Sequence, residues 1–131
     1  MTVQLADETF IVAAPHVVAR EVADPARWRE WWPDLDLRVV RDRGDEGVEW
    51  EVTGALTGQL EIWLEPVADG VVVHHLVRAD ATGGPRPSRW WRRRTVAWKG
   101  HAHALKDRLE AGREPGTPRV TQPGDRDGRQ G

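Results

Sequence analysis

No cysteine occurs in the 131 residues, which excludes disulfides, thiolate zinc sites and a cysteine nucleophile. Serine occurs once, at Ser88 in a loop, so no serine triad is credible. No apolar run approaches the roughly 18 residues that a membrane-spanning helix takes. The N-terminal MTVQLADETF lacks a basic segment followed by an apolar one, so neither a transmembrane segment nor a signal peptide is expected, and the expected location is cytoplasmic. The formal net charge of −2 supplies no overall cationic field, so nucleic acid is not an expected partner. ATGGPRP (residues 81–87) lacks the glycine spacing and following lysine of a phosphate loop. Lysine is scarce too, with 2 against 17 arginines, and tyrosine is absent.

Tryptophan takes the place of the missing aromatics. There are 8, against a single phenylalanine, in a chain that is 39% hydrophobic and 31% charged. They fall into groups: Trp28, Trp31 and Trp32, then Trp50 and Trp63, then Trp90, Trp91 and Trp98. Each carries a large apolar surface and one N–H that needs a partner when buried.

Local pattern divides the chain into elements. ETFIVAAP reads as a short strand with Phe10 and Val12 on one face, ending at Pro15. Pro15 suits the first turn of a helix carrying Val18 and Val22 four residues apart. Asp24-Pro25 is a second helix start, a carboxylate cap followed by a residue with no N–H to leave unpaired. That helix sets Trp28, Trp31 and Trp32 on one face and stops at Pro33. From Leu35 the period becomes two. LDLRVVRD, GVEWEVTG, GQLEIWLEP and DGVVVHHLVRAD read as successive antiparallel strands, the last entered by an Asp69-Gly70 turn. Val48, Trp50 and Val52 share one face, as do Leu60, Ile62 and Leu64, while Trp63 falls with the glutamates on the other.

After the ATGGPRPS loop, Trp91, Thr95, Trp98, Ala102, Leu105 and Leu109 form one helical stripe, with Ser88 as the expected N-cap and Gly112 as the stop. Residues 113–131 are rich in Gly, Pro and Arg with one aliphatic residue, Val120, and are expected to be a disordered tail after a single domain over 1–112.

Strand, two short helices, antiparallel meander and long amphipathic helix define an α+β chain. Its order resembles the helix-grip fold of the START-like (SRPBCC) superfamily, which includes the polyketide cyclase/dehydrase family, as a short variant. The likeness is carried by FIVAAPHVVAREVADPARWREWWPDL and by GALTGQLEIWLEPVADGVVVHHLVRAD. It implies an antiparallel sheet curled around the C-terminal helix, with a cavity between them for an apolar ligand. The sequence offers five strands where the family has seven, which would shrink the cavity or leave a sheet edge uncovered and open to a homodimer.

The candidate cavity residues are Trp28, Trp31, Trp32, Trp50, Ile62 and Val73, with His75, Trp91, Arg94, Trp98, His101 and Leu105. For any one Trp, plain core packing competes with a ligand-gripping role. Metal binding is not expected, because His101 and His103 diverge by about 200° on a helix and His74 and His75 point to opposite faces of a strand. No cofactor is expected either. His75, inward by register, is expected to face His101; with Arg94 at the edge of the stripe, these would be the catalytic groups of a cyclase or dehydratase.

Charge is segregated. Between Gly44 and Val77 lie 7 acidic residues and no Lys or Arg; between Ala81 and Lys106 lie 7 basic residues and no Asp or Glu. Arginines in the first turns oppose the helix dipole, so RWWRRR (residues 89–94) calls for an anion nearby. Three functions follow. The first is binding of a hydrophobic or aromatic small molecule, lipid or polyketide-like, without catalysis. The second is a polyketide cyclase or dehydratase. The third is contact with an anionic membrane or nucleic acid through Arg89, Trp90, Arg92 and Arg93.

Overall fold

Period-two alternation produces five strands of a single antiparallel sheet in the computed structural model, which describes residues 2–111. The elements run β1 (Val3–Ile11), α1 (Pro15–Val22), α2 (Pro25–Trp31), β2 (Leu35–Asp42), β3 (Gly47–Gly54), β4 (Leu56–Val67), β5 (Gly70–Ala81) and α3 (Ser88–Glu110), with a 3-10 turn at Gly44–Glu46. Strand order is β1-β5-β4-β3-β2, so β2 to β5 form a meander and β1 joins its far end. All three helices cover one face, giving the helix-grip architecture. The expected helix-start pair is present: Pro25 opens α2, and the Asp24 side chain accepts from the Ala26 N–H.

The inner face follows the alternation. Trp50, Val52, Ile62 and Leu64 are fully buried, and β5 turns Val71, Val73, His75, Val77 and Ala79 inward. From α1, Val18 and Val22 complete this core, while α3 contributes Trp91, Trp98, Ala102 and Leu105. Trp63 lies on the outer face, as expected from its place among the glutamates, and stacks on His74 at 4.3 Å.

Four local expectations are corrected. β1 begins at Val3, not near Glu8, and its inward residues are Val3, Leu5, Asp7, Thr9 and Ile11; Phe10 points outward. Pairing with β5 along the whole of β1 sets that register. The β4–β5 turn is Ala68-Asp69, one residue earlier than expected, and Gly70 is the first residue of β5. A Cβ at Gly70 would lie 2.2 Å from the Ile11 carbonyl oxygen, so close approach of β1 explains this glycine. Ser88 is the first helical residue of α3 and not its cap; extended Pro87 occupies that position. Ala111 is the helix C-cap, and both Gly112 and the expected tail lie outside the described residues.

The sheet has two edges, and they differ. Along β1, Lys99 donates to the Glu8 carbonyl and the Thr9 hydroxyl, Lys106 donates to the Phe10 carbonyl, and Glu110 accepts from the Val12 N–H. Both lysines of the chain therefore tie α3 to that edge and satisfy the carbonyls of Glu8 and Phe10. Among the described residues no strand pairs with the outer edge of β2, where Val39 and Val40 are exposed beside a bulge between Val39 and Arg41.

Candidate functional site

A cavity of about 340 Å³ lies between the inner face of the sheet, the end of α2 and the first half of α3. Leu5, Leu60, His75 and Val77 form its floor, and Trp31, Trp32, Trp91 and Trp98 its aromatic walls. Arg94, Asp34 and Ala97 also line it, Ala97 from an exposed position on α3. Larger hollows, of about 480 and 460 Å³, share Gln59 and Arg78; polar or charged residues make up half the lining of the first and most of the second, and neither has an aromatic wall.

Helical spacing and strand register converge on one aromatic stack. The ring of Trp98 lies parallel to that of Trp32 at 5.5 Å and to that of His75 at 4.4 Å, while Trp31 meets Trp98 edge-on at 5.5 Å. The polar rims of the stack meet Asp7. Its Oδ1 accepts from Trp98 Nε1–H at 3.0 Å, and its Oδ2 lies 3.0 Å from His75 Nδ1. An indole N–H only donates, and a carboxylate only accepts. Nδ1 is therefore the protonated nitrogen of His75, and in the neutral ring Nε2 carries a lone pair. His75 is 4% exposed, and its Nε2 has no hydrogen-bond partner among the described residues. Such an orphaned buried group costs about 1–3 kcal/mol.

The cavity mouth holds a charged pair. Arg94 donates two parallel hydrogen bonds to Asp34, at 2.7 and 3.0 Å. These bonds are the largest cause holding the Asp34 carboxyl below its ordinary 3.8; the guanidinium's attraction reinforces them and burial opposes them. Because the folded-state value is depressed, the pair's stabilisation is complete above the ordinary carboxylate range and is lost as pH falls through the folded value. Asp34 is half exposed, so the pair is worth about 1 kcal/mol at most. An Asp34→Asn variant is expected to be less stable than wild type by about that amount at neutral pH. In urea titrations repeated at falling pH, the difference should close as pH falls below the ordinary value of 3.8 and through the depressed folded-state value.

Half of the sequence candidates stand on the cavity wall and half do not. Trp31, Trp32, His75, Trp91, Arg94 and Trp98 stand on the cavity wall. Trp28, Trp50, Ile62, Val73, His101 and Leu105 do not, because α1 and α2 cover the part of the sheet where the strand residues lie. Trp50 is fully buried beneath Trp28 and Trp32, at 5.3 and 5.4 Å, and Trp28 Nε1 donates to the Val22 carbonyl. His75 is partnered by Asp7 in place of His101, because Trp98, closer to the N-terminus of α3, occupies the ring face of His75.

Asp7 and Asp34 were not singled out from the sequence. Asp7 was legible had β1 been extended to Val3, since it continues the inward alternation with Leu5 and Thr9. Asp34 sits in an irregular turn after Pro33, and no periodic signal marks it. It is the anion over the start of α3. Three acidic residues of the meander are paired with nearby arginines, Glu51 with Arg38, Glu49 with Arg41 and Glu61 with Arg43. Trp90, which membrane or nucleic-acid contact would need exposed, is half-buried against Trp91, with the guanidiniums of Arg86 and Arg94 5.5 and 5.3 Å from its ring. Among the described residues no three His, Cys, Asp or Glu converge as metal ligands, and no helix is long and apolar enough to cross a membrane.

No protein-family model matches the sequence, and no curated protein sequence does. Solved structures match in fold. The Aha1 dimer from Colwellia psychrerythraea is 17% identical with a TM-score of 0.65, over 86% of this chain and 99% of that one. DynU16, from the dynemicin biosynthetic locus, is 16% identical with a TM-score of 0.59, over 91% of this chain and 51% of that one. The di-domain ARO/CYC StfQ of the steffimycin biosynthetic pathway is 14% identical with a TM-score of 0.55, over 82% of this chain and 52% of that one. The chain thus has the α+β helix-grip fold found across these START-like (SRPBCC) proteins.

Proposed function

We propose that the protein binds a hydrophobic, aromatic small molecule in the sheet–helix cavity and does so without catalysis. The observation that carries this is the cavity of about 340 Å³ walled by Trp31, Trp32, Trp91 and Trp98. Its volume falls in the range of small-ligand sites, and its lining has the composition of one, mostly apolar and aromatic with a few polar groups. Rigid indoles grip flat molecules at little entropic cost, since each has only two torsions to fix. The helix-grip fold is consistent with such binding, for its architecture leaves space between the sheet and the long helix.

Naphthalene is a suitable first probe, read through quenching of the wall tryptophans. Saturable binding in the micromolar range is expected. The control is Ala97→Trp, which places a bulky ring at the exposed edge of the cavity. Being a surface position on a helix, it should leave stability within about 0.5 kcal/mol while weakening naphthalene at least about tenfold. Unsaturable quenching that is the same in both proteins would remove the cavity as a binding site.

A further inference from the structure

The solvent face of α3 carries no Asp, Glu, Lys or Arg for about three and a half turns between Arg93 and Asp107. In a chain that is 31% charged, Val96, Ala97, Gly100, His103 and Ala104 occupy this face, and all five are exposed. Val96, at 64%, is the most exposed large hydrophobic side chain among the described residues. The charged residues of the same stretch turn away: Arg94 to Asp34, Lys99 and Lys106 to the β1 edge. Ala97 stands at the margin of the face, where it also lines the cavity.

Gly100 sits at the centre of this face and in the interior of a 23-residue helix, where glycine weakens helical structure. In the sheet, backbone carbonyls leave no room for a Cβ at Gly47, Gly58 and Gly70. At Gly100 a Cβ would meet nothing within 4 Å, so no contact inside the domain calls for a glycine there. A second helix crossing at that point would, because the side chains at a crossing set how closely two helix axes approach.

Charge sets the direction of such a crossing. Arg93 lies seven residues before Gly100 and Asp107 seven after it, the spacing that keeps residues on the seam between two helices. Both are exposed, and neither side chain has a hydrogen bond or ion pair among the described residues. With Gly100 on Gly100, an antiparallel pair brings Arg93 of each copy to Asp107 of the other, and Val96 to Ala104. A parallel pair would instead set arginine on arginine and aspartate on aspartate.

We infer that this face of α3 binds a second copy of the chain, the two helices running antiparallel about a twofold axis at Gly100, with Arg93 of each copy paired to Asp107 of the other. The contact is isologous, so each pairing occurs twice. One helix face makes a small interface, and a dimer with a dissociation constant in the micromolar range is expected. The inference does not depend on what the cavity holds.

Sedimentation velocity of the full chain over a concentration series tests it. Wild type is expected to pass from monomer to dimer as concentration rises through the micromolar range. Asp107→Arg places like charges at both ends of the seam and should weaken the dimer at least about tenfold, as should Arg93→Asp. Combining Arg93→Asp with Asp107→Arg restores opposite charges in the same geometry and should return the dimer to within about threefold of wild type. Gly100→Arg, at a position with open space around it in the monomer, should abolish association.

A wild-type chain that stays monomeric up to millimolar concentration would overturn the inference, and that measurement needs no variant. A double variant as weak as either single one would overturn the antiparallel pairing. A dimer that survives Gly100→Arg but is lost in Val40→Lys would place the contact on the β2 edge and overturn it as well.

Discussion

Trp98→Ala is expected to destabilise the protein by about 4 kcal/mol, within the range for emptying a buried tryptophan site. Three losses combine. The side chain is only 3% exposed, so nearly its whole apolar surface returns to water on unfolding. Its ring contacts Trp31, Trp32 and His75 at 4.4–5.5 Å, and aromatic pairs add stabilisation beyond burial. Asp7 also loses the indole N–H. Trp63→Ala is the internal comparison. Trp63 is 36% exposed on the outer face and stacks on His74 alone, so about 1 kcal/mol is expected. Urea unfolding with unchanged m-values would give both numbers. If Trp98→Ala cost no more than Trp63→Ala, Trp98 would be a wall of the cavity and not part of what holds the sheet to α3.

The difference between these two tryptophans was legible in the sequence. Trp98 falls on a helical stripe with Trp91, Ala102 and Leu105, and Trp63 falls out of step with Leu60, Ile62 and Leu64. Periodicity reports which face a residue takes, and apart from β1 the strand and helix assignments that rest on it hold, including the inward turn of His75. Periodicity does not report what lies across from that face. Trp28 and Trp50 looked equivalent to Trp31 and Trp32 as wall residues, yet α1 and α2 seal the first pair into the core and leave the second beside the cavity. The partner of His75 was hidden for the same reason, since Asp7 is 68 residues away and becomes a neighbour only because β1 pairs with β5 and not with β2. Asp34 shows the limit most plainly. Its bond to Arg94 joins a turn to a helix across 60 residues with no repeating pattern to announce it.

Asp7→Ala is expected to cost about 3 kcal/mol although it removes a small polar side chain from a strand. The carboxylate serves two donors at once, and its loss leaves both Trp98 Nε1–H and His75 Nδ1–H unpaired. Each orphaned donor in such a place costs about 1–3 kcal/mol. Asp7 is itself mostly buried, with 16% of its side chain exposed, so water replaces it only in part. Asp7→Asn keeps one acceptor and should cost nearer 1 kcal/mol. The origin of the loss is separable by removing a donor as well. In a Trp98→Phe background the indole N–H is gone, and Asp7→Ala should then cost about 1 kcal/mol less than in wild type. That non-additivity, measured by a double-mutant cycle in urea, assigns the energy to the bond between the first strand and the last helix. Strict additivity would mean that the two side chains are merely close. Because the same carboxylate aligns His75 at the cavity wall, the coupling energy also measures how firmly the fold holds that ring in place.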